Sequence, residues 1–185
     1  MLAVDQAVHV AINLGARDIG SGRFLPILSR ALERRDVAPA QIWLEATERG
    51  FVDADAARET IAKARAAGHL VAIDDFGTGY SSLSLLERLP LDALKIDKAF
   101  VDSIGKHAAT SVVIPHIIDM ARELDLDIVA EGIETEEQVS YLRNAGVAFG
   151  QGWLYAKAMP LQDFIDYYVR NKANAAAWIP AGAPG

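Results

Sequence analysis

The sequence predicts an α/β fold, a TIM-like β/α barrel with fewer than the usual eight units. Three observations predict it. Six short runs of β-branched and apolar residues alternate with amphipathic helical patterns, and that alternation implies parallel strands joined by right-handed crossovers. A polar or charged residue stands at the end of each run, which is where a barrel collects its chemical groups. The first run reads Ile-Asn-Leu-Gly with no G-x-G-x-x-G or P-loop after it, which disfavours an open nucleotide-binding sheet. Length sets the limit: the chain has 185 residues, whereas eight strand–helix units typically occupy about 250.

The elements follow in order. The first strand is expected over His9–Asn13, and the next helix places Phe24, Leu25, Leu28, Ala31 and Leu32 on one face. A second strand, Ile42–Glu45, leads to a helix that Gly68 should stop, then to a third strand, Leu70–Asp74. The fourth strand is Ala93–Ile96. Val113, Ile117, Ile118, Ala121 and Leu124 share a helical face, but Pro115 lies inside that pattern, so this helix should kink or begin near Ile114. After the fifth strand, Asp127–Glu131, Thr135 and Gln138 form a capping box, and Gly146 ends the helix before a sixth strand, Ala148–Gln151. Pro160 suits the first turn of a last helix. Residues 1–172 read as the domain and the Ala/Pro/Gly-rich stretch 173–185 as a flexible tail.

Composition narrows the function. With 51% apolar and 23% charged residues the chain is globular, with one sizeable core. A net charge of −7 gives no bulk attraction for a nucleic acid polymer or an anionic membrane. The absence of cysteine excludes disulfides, thiolate metal sites and cysteine nucleophiles. No apolar run approaches the roughly 18 residues of a membrane span, and the N-terminus lacks the order of a signal peptide, so the expected location is cytoplasmic.

The chemistry is distributed over the strand ends. Asn13, Glu45, Asp74, Lys95, Glu131 and Gln151 are separated by 32, 29, 21, 36 and 20 residues, each room for a loop, a helix and the next strand. Any one acidic residue after a strand is more commonly a helix cap. If these ends converge, three carboxylates beside two carboxamides stay ionised only with a cation among them. All-oxygen donors without cysteine favour Mg²⁺ or Mn²⁺ over zinc. Where the strand ends, consecutive Asp74 and Asp75 can both turn to one site, and two ions there would let an acidic protein act on a phosphodiester. Lys95 would favour or orient the attacking water. The two glycines of Asp75–Ser82 suit a loop that moves or approaches a ligand closely. Three carboxylates on Mg²⁺ with a proton-abstracting lysine would also fit an enolase-like barrel, in which that loop has no purpose.

The ordered strings carry a resemblance. Leu-Glu-Ala-Thr-Glu, Asp-Asp-Phe-Gly-Thr-Gly-Tyr-Ser-Ser-Leu, Leu-Lys-Ile-Asp, Ala-Glu-Gly-Ile-Glu-Thr and Gln-Gly-Trp, between His9 and Phe164, resemble the EAL-domain family of cyclic-di-GMP phosphodiesterases. The resemblance implies a modified β/α barrel that hydrolyses this second messenger to linear pGpG with two Mg²⁺ or Mn²⁺ ions, commonly as a homodimer. Asn13, Glu45, Asp74 and Asp75 match the family's metal ligands, and Lys95 matches the lysine on the catalytic water. Glu131 matches a carboxylate of the metal–water site proposed as general base, and Gln151 a glutamine near the same pocket. Glu48 matches the glutamate that anchors the loop from Asp75 to Ser82. Thr47-Glu48-Arg49-Gly50-Phe51 resembles members that carry an upstream sensor domain and a membrane anchor.

The departures are as specific. No Glu-x-Leu precedes Ala11. The resemblance therefore implies that the first two family strands, a metal-binding glutamate and a substrate-binding arginine are missing from the N-terminal side, leaving an incomplete barrel. Gly15 stands where many members have serine. An alternative function follows from the missing glutamate, a non-catalytic cyclic-di-GMP-binding regulatory module. Open strand edges and an uncovered apolar interior lead us to expect a dimer or larger assembly.

Overall fold

The computed structural model describes residues 2–3, 5–51, 53–77, 83–106 and 109–175, the side chains of 109–110 and 172–175 excepted. The chain divides into two compact units, residues 1–95 with 123–126, and residues 96–122 with 127–185. The division falls inside the fourth strand.

The first unit holds β1 (Val10–Asn13), α1 (Ala16–Ser21), α2 (Phe24–Glu33), β2 (Ile42–Thr47), α3 (Ala54–Ala66), β3 (Leu70–Phe76), α4 (Leu83–Arg88) and β4 (Ala93–Ile96), whose last residue belongs to the second unit. β1, β2 and β3 pair in parallel in chain order, with β4 beside β3. The register sets Asn13 opposite Glu45, Glu45 opposite Ala72 and Thr47 opposite Asp74. Burial explains the sequence pattern. β2 is buried from Ile42 to Ala46, and Val71, Ala72 and Ile73 of β3 are at most 1% exposed, so neither strand alternates as a half-exposed strand would. Ala57, Ile61 and Ala64 of α3, which packs on β3, and Ile19 of α1, which packs on α3, are at most 1% exposed. β1 is an edge strand, and Val10 is accordingly 40% exposed.

The second unit holds α5 (Lys98–Val101), α6 (Val113–Glu123, its last residue falling in the first unit), β5 (Asp127–Ala130), α7 (Glu136–Asn144), β6 (Phe149–Gly150) and α8 (Leu161–Ala175). β5 and β6 are parallel. Ile114, Ile117, Ile118 and Ala121 form the buried stripe of α6 that the sequence predicts. Pro115 is the third residue of that helix, within the first turn, where its missing N–H has no helical partner to lose; the helix starts next to Ile114 as expected. Thr135 and Gln138 make the reciprocal capping box of α7. Gly68 and Gly146 follow α3 and α7 at φ of 95° and 80°, left-handed positions that favour glycine.

Two boundaries differ in a way that bears on the site. The sequence ends the second and third strands at Glu45 and Asp74, whereas β2 runs on to Thr47 and β3 to Phe76. Both acidic residues therefore lie within paired strands, because the ladder continues through Thr47 and Asp74 and a buried cation partners their charges. The last helix reaches Ala175, past the expected start of the tail at Ala173, and residues 176–185 lie outside the described residues.

Candidate functional site

In the first unit the site is built on β2, β3 and β4. Glu45 and Lys95 are almost fully buried, and such charges persist only when paired. Lys95 Nζ donates to Glu45 Oε2 at 2.6 Å and stands 3.2 Å from Asp74 Oδ1. One ammonium thus balances two carboxylates whose strands are adjacent, and the register carries both to the same sheet face two residues apart. Asn13, opposite Glu45 in the parallel ladder, shares that face from the end of β1.

Asp75 departs from the strand geometry around it. Its φ is 56°, a left-handed conformation that aspartate tolerates better than most residues, and its N–H donates to Asp74 Oδ1 at 2.9 Å. This turn of the backbone is what breaks the alternation after Asp74; the strand itself does not end there. Glu48 lies in a 3-10 turn after β2, and its Oε1 accepts the Gly77 N–H at 3.1 Å, so it ties down the start of the loop the sequence assigns to it. Thr78–Ser82, the rest of that loop, lie outside the described residues.

In the second unit Glu131 and Gln151 each directly follow a strand. Glu131 N–H donates to Ile96 C=O at 3.0 Å, and Gln151 N–H to Ala130 C=O at 2.9 Å, extending the ladders by one residue. Gln151 Nε2 donates to Glu131 Oε1 at 2.8 Å. The backbone behind them is closely fitted. Ile133 N–H donates to Gln151 C=O, Leu154 N–H donates to Ile133 C=O, and a Cβ on Gly152 would overlap the Ile133 backbone.

Residues that the sequence left without a role also emerge. Lys98 Nζ reaches Asp102 Oδ1 at 2.6 Å and Glu134 Oε1 at 3.0 Å, and the hydrogen bond to Asp102, then that to Glu134, hold its ammonium above the usual lysine range. The only sequence signal was a second lysine three residues after Lys95. Among the histidines, His69 is buried with Nδ1 3.2 Å from Ile42 C=O, and His9 lies edge-on to Trp43. His107 and Trp178 lie outside the described residues. Trp153 is 63% exposed, with Lys157 Nζ 5.0 Å from its ring centre.

The donor chemistry fits a hard divalent cation. Within the first unit Asn13, Glu45, Asp74 and Asp75 offer oxygen acceptors with no sulfur or imidazole among them, and the Lys95 ammonium is already shared by Glu45 and Asp74.

Comparisons with known proteins identify the family. The family model for the EAL domain matches residues 1–158, and the chain belongs to the EAL domain family. It is 48% identical over 157 residues to the Escherichia coli K12 protein named probable cyclic di-GMP phosphodiesterase PdeB, covering 85% of this chain and 30% of PdeB. The crystal structure of the Mycobacterium smegmatis DcpA EAL domain superposes with a TM-score of 0.83 at 32% identity, over 89% of this chain and 74% of that one. The Klebsiella pneumoniae BlrP1 complex with manganese and cyclic di-GMP gives a TM-score of 0.72 at 32% identity, over 80% of this chain and 38% of that one. The fold is thus the TIM-like β/α type of EAL structures, with six strands among the described residues. The chain spans about a third of the length of PdeB. No described helix is long and apolar enough to cross a membrane.

Proposed function

We propose that this chain is the phosphodiesterase module of a signalling protein and hydrolyses cyclic di-GMP to linear pGpG. The observation that carries the reading is the buried Lys95 ammonium between Glu45 and Asp74, 2.6 and 3.2 Å away. A buried cation shared by two carboxylates at the register of Asn13 is a poor investment for stability alone, because apolar packing would serve as well. It is the expected arrangement where charge has to be managed during a reaction.

Asn13, Glu45, Asp74 and Asp75 are assigned as ligands of Mg²⁺ or Mn²⁺, with Glu131 at the metal–water position. When bound, two such ions neutralise the phosphodiester and acidify water. Lys95 orients the attacking water, and Glu131 accepts its proton, with Gln151 Nε2 fixing one oxygen of that carboxylate. The water oxygen joins phosphorus while the bond from phosphorus to one ribose oxygen breaks, and that oxygen takes a proton from solvent to leave as a hydroxyl, opening one of the two linkages. Glu48 holds the start of the loop after β3 through Gly77. A homodimer, an upstream sensor domain and a cytoplasmic location for this module complete the proposal.

The test is to incubate the chain with Mn²⁺ and cyclic di-GMP, measuring ligand binding at equilibrium and product by chromatography. Binding with release of pGpG is expected. Tight binding without turnover would overturn the enzymatic reading in favour of a ligand-binding regulatory module.

A further inference from the structure

Lys98 opens α5, three residues beyond Lys95, and has no part in the chemistry above. Its side chain grips the segment that begins at Glu131 in two ways. The methylene stem lies across Gly132, whose φ is 67° and where an added Cβ would overlap the Lys98 stem. The ammonium stands 3.0 Å from Glu134 Oε1, while Asp102 Oδ1, one turn along, holds it in place at 2.6 Å. A second link runs parallel to the first. Gln138, buried, accepts the Glu134 and Thr135 N–H groups on Oε1 at 2.7 and 3.0 Å and donates through Nε2 to Val101 C=O at 3.2 Å, on the same helix as Lys98.

The segment Glu131–Thr135 is therefore fastened to α5 on one side and to Gln151–Leu154 on the other, where Gln151 Nε2 meets the Glu131 carboxylate at 2.8 Å. A half-exposed ion pair adds little to folding, so stability does not account for this clamp. Its mechanical effect is on the residue at the start of the segment.

We propose that Lys98 is a positioning residue that acts through Gly132 and Glu134 to set the place and direction of the Glu131 carboxylate. The inference rests on the role proposed for Glu131, and the two arms of its test separate the failure of one from the failure of the other. Lys98→Met keeps a stem over Gly132 and removes the charge; Lys98→Arg restores the charge. In the first arm, NMR of the unliganded chain follows the Gln151 side-chain amide and the Gly132 backbone amide. Both signals are expected to move in Lys98→Met and to return toward their original positions in Lys98→Arg. Unmoved signals in Lys98→Met would overturn the proposal whether or not the chain hydrolyses anything.

In the second arm, hydrolysis of cyclic di-GMP with Mn²⁺ is expected to lose about tenfold in kcat in Lys98→Met, the usual cost of disturbing a supporting contact. KM and the melting temperature should stay near their starting values, and Lys98→Arg should recover most of the rate. An unchanged kcat, or a loss that tracks a lowered melting temperature and is not recovered by arginine, would contradict the positioning role. If the unsubstituted chain hydrolyses nothing, the proposed function fails and the NMR arm alone decides the clamp.

Discussion

Replacing Lys95 by methionine isolates the charge at the centre of the first unit, since methionine keeps most of the stem and loses the ammonium. Lys95 is 3% exposed, and its partners Glu45 and Asp74 are 9% and 14% exposed, so water cannot take over the role of the lost cation. Removing one member of a buried pair typically costs about 3–5 kcal/mol, because a charge is left without compensation. At about 2–4 °C per kcal/mol for a chain of this length, the melting temperature should fall by on the order of 10 °C. Arg88 and Asp55 provide the contrast: they also form an ion pair, at 3.1 Å, but are 60% and 87% exposed. Arg88→Met should therefore cost under about 1 kcal/mol. The assay is thermal unfolding by circular dichroism in chelator at neutral pH, repeated with Mn²⁺. A divalent cation that binds the folded site stabilises by mass action, and it should raise the melting temperature of Lys95→Met more than that of the unsubstituted chain, since it replaces the missing charge. If Lys95→Met melts within the small shift expected of Arg88→Met, Lys95 is not balancing the two carboxylates, and the reasoning fails.

Three further outcomes are expected. Gly152→Ala should destabilise by on the order of 2 kcal/mol, because the new Cβ meets the Ile133 backbone and not a flexible side chain; denaturant unfolding with an unchanged midpoint would contradict the close approach. Thr135→Ala should cost about 1 kcal/mol by removing the hydrogen bond to the Gln138 N–H at the start of α7, and local hydrogen exchange in that first turn should speed up. Burial raises the Tyr155 phenol above its ordinary value of 10.0, so its contribution to stability is present below that pH and is lost as pH rises through the raised value. Ultraviolet titration should then lose a component that ionises above 10.0 in Tyr155→Phe; loss of a component at or below 10.0 would contradict the shift.

β2 to β5 were legible because parallel strands that are largely buried show as continuous apolar runs; Ala93–Ile96 matches the expected bounds, and the other five strands differ by a few residues at most. The polar residues were legible as a set because each interrupts or ends such a run. What could not be read was the detail of pairing. Nothing local says that β2 continues past Glu45; a distant lysine makes that possible by compensating a charge inside the strand. The left-handed turn at Asp75 depends likewise on its hydrogen bond back to Asp74 and not on a glycine signal. Lys98 escaped notice for a related reason. A lysine at the start of a helix is ordinary by type, and its grip on Gly132 and Glu134 exists only once the segment after β5 lies against α5.

The claim that this chain opens a cyclic dinucleotide with water is tested most directly by the fate of the water oxygen. Cyclic di-GMP incubated with the chain and Mn²⁺ in heavy-oxygen water should yield pGpG carrying a single heavy oxygen, on its terminal phosphate, by mass spectrometry. Recovery of bound but intact, unlabelled cyclic di-GMP would contradict the account.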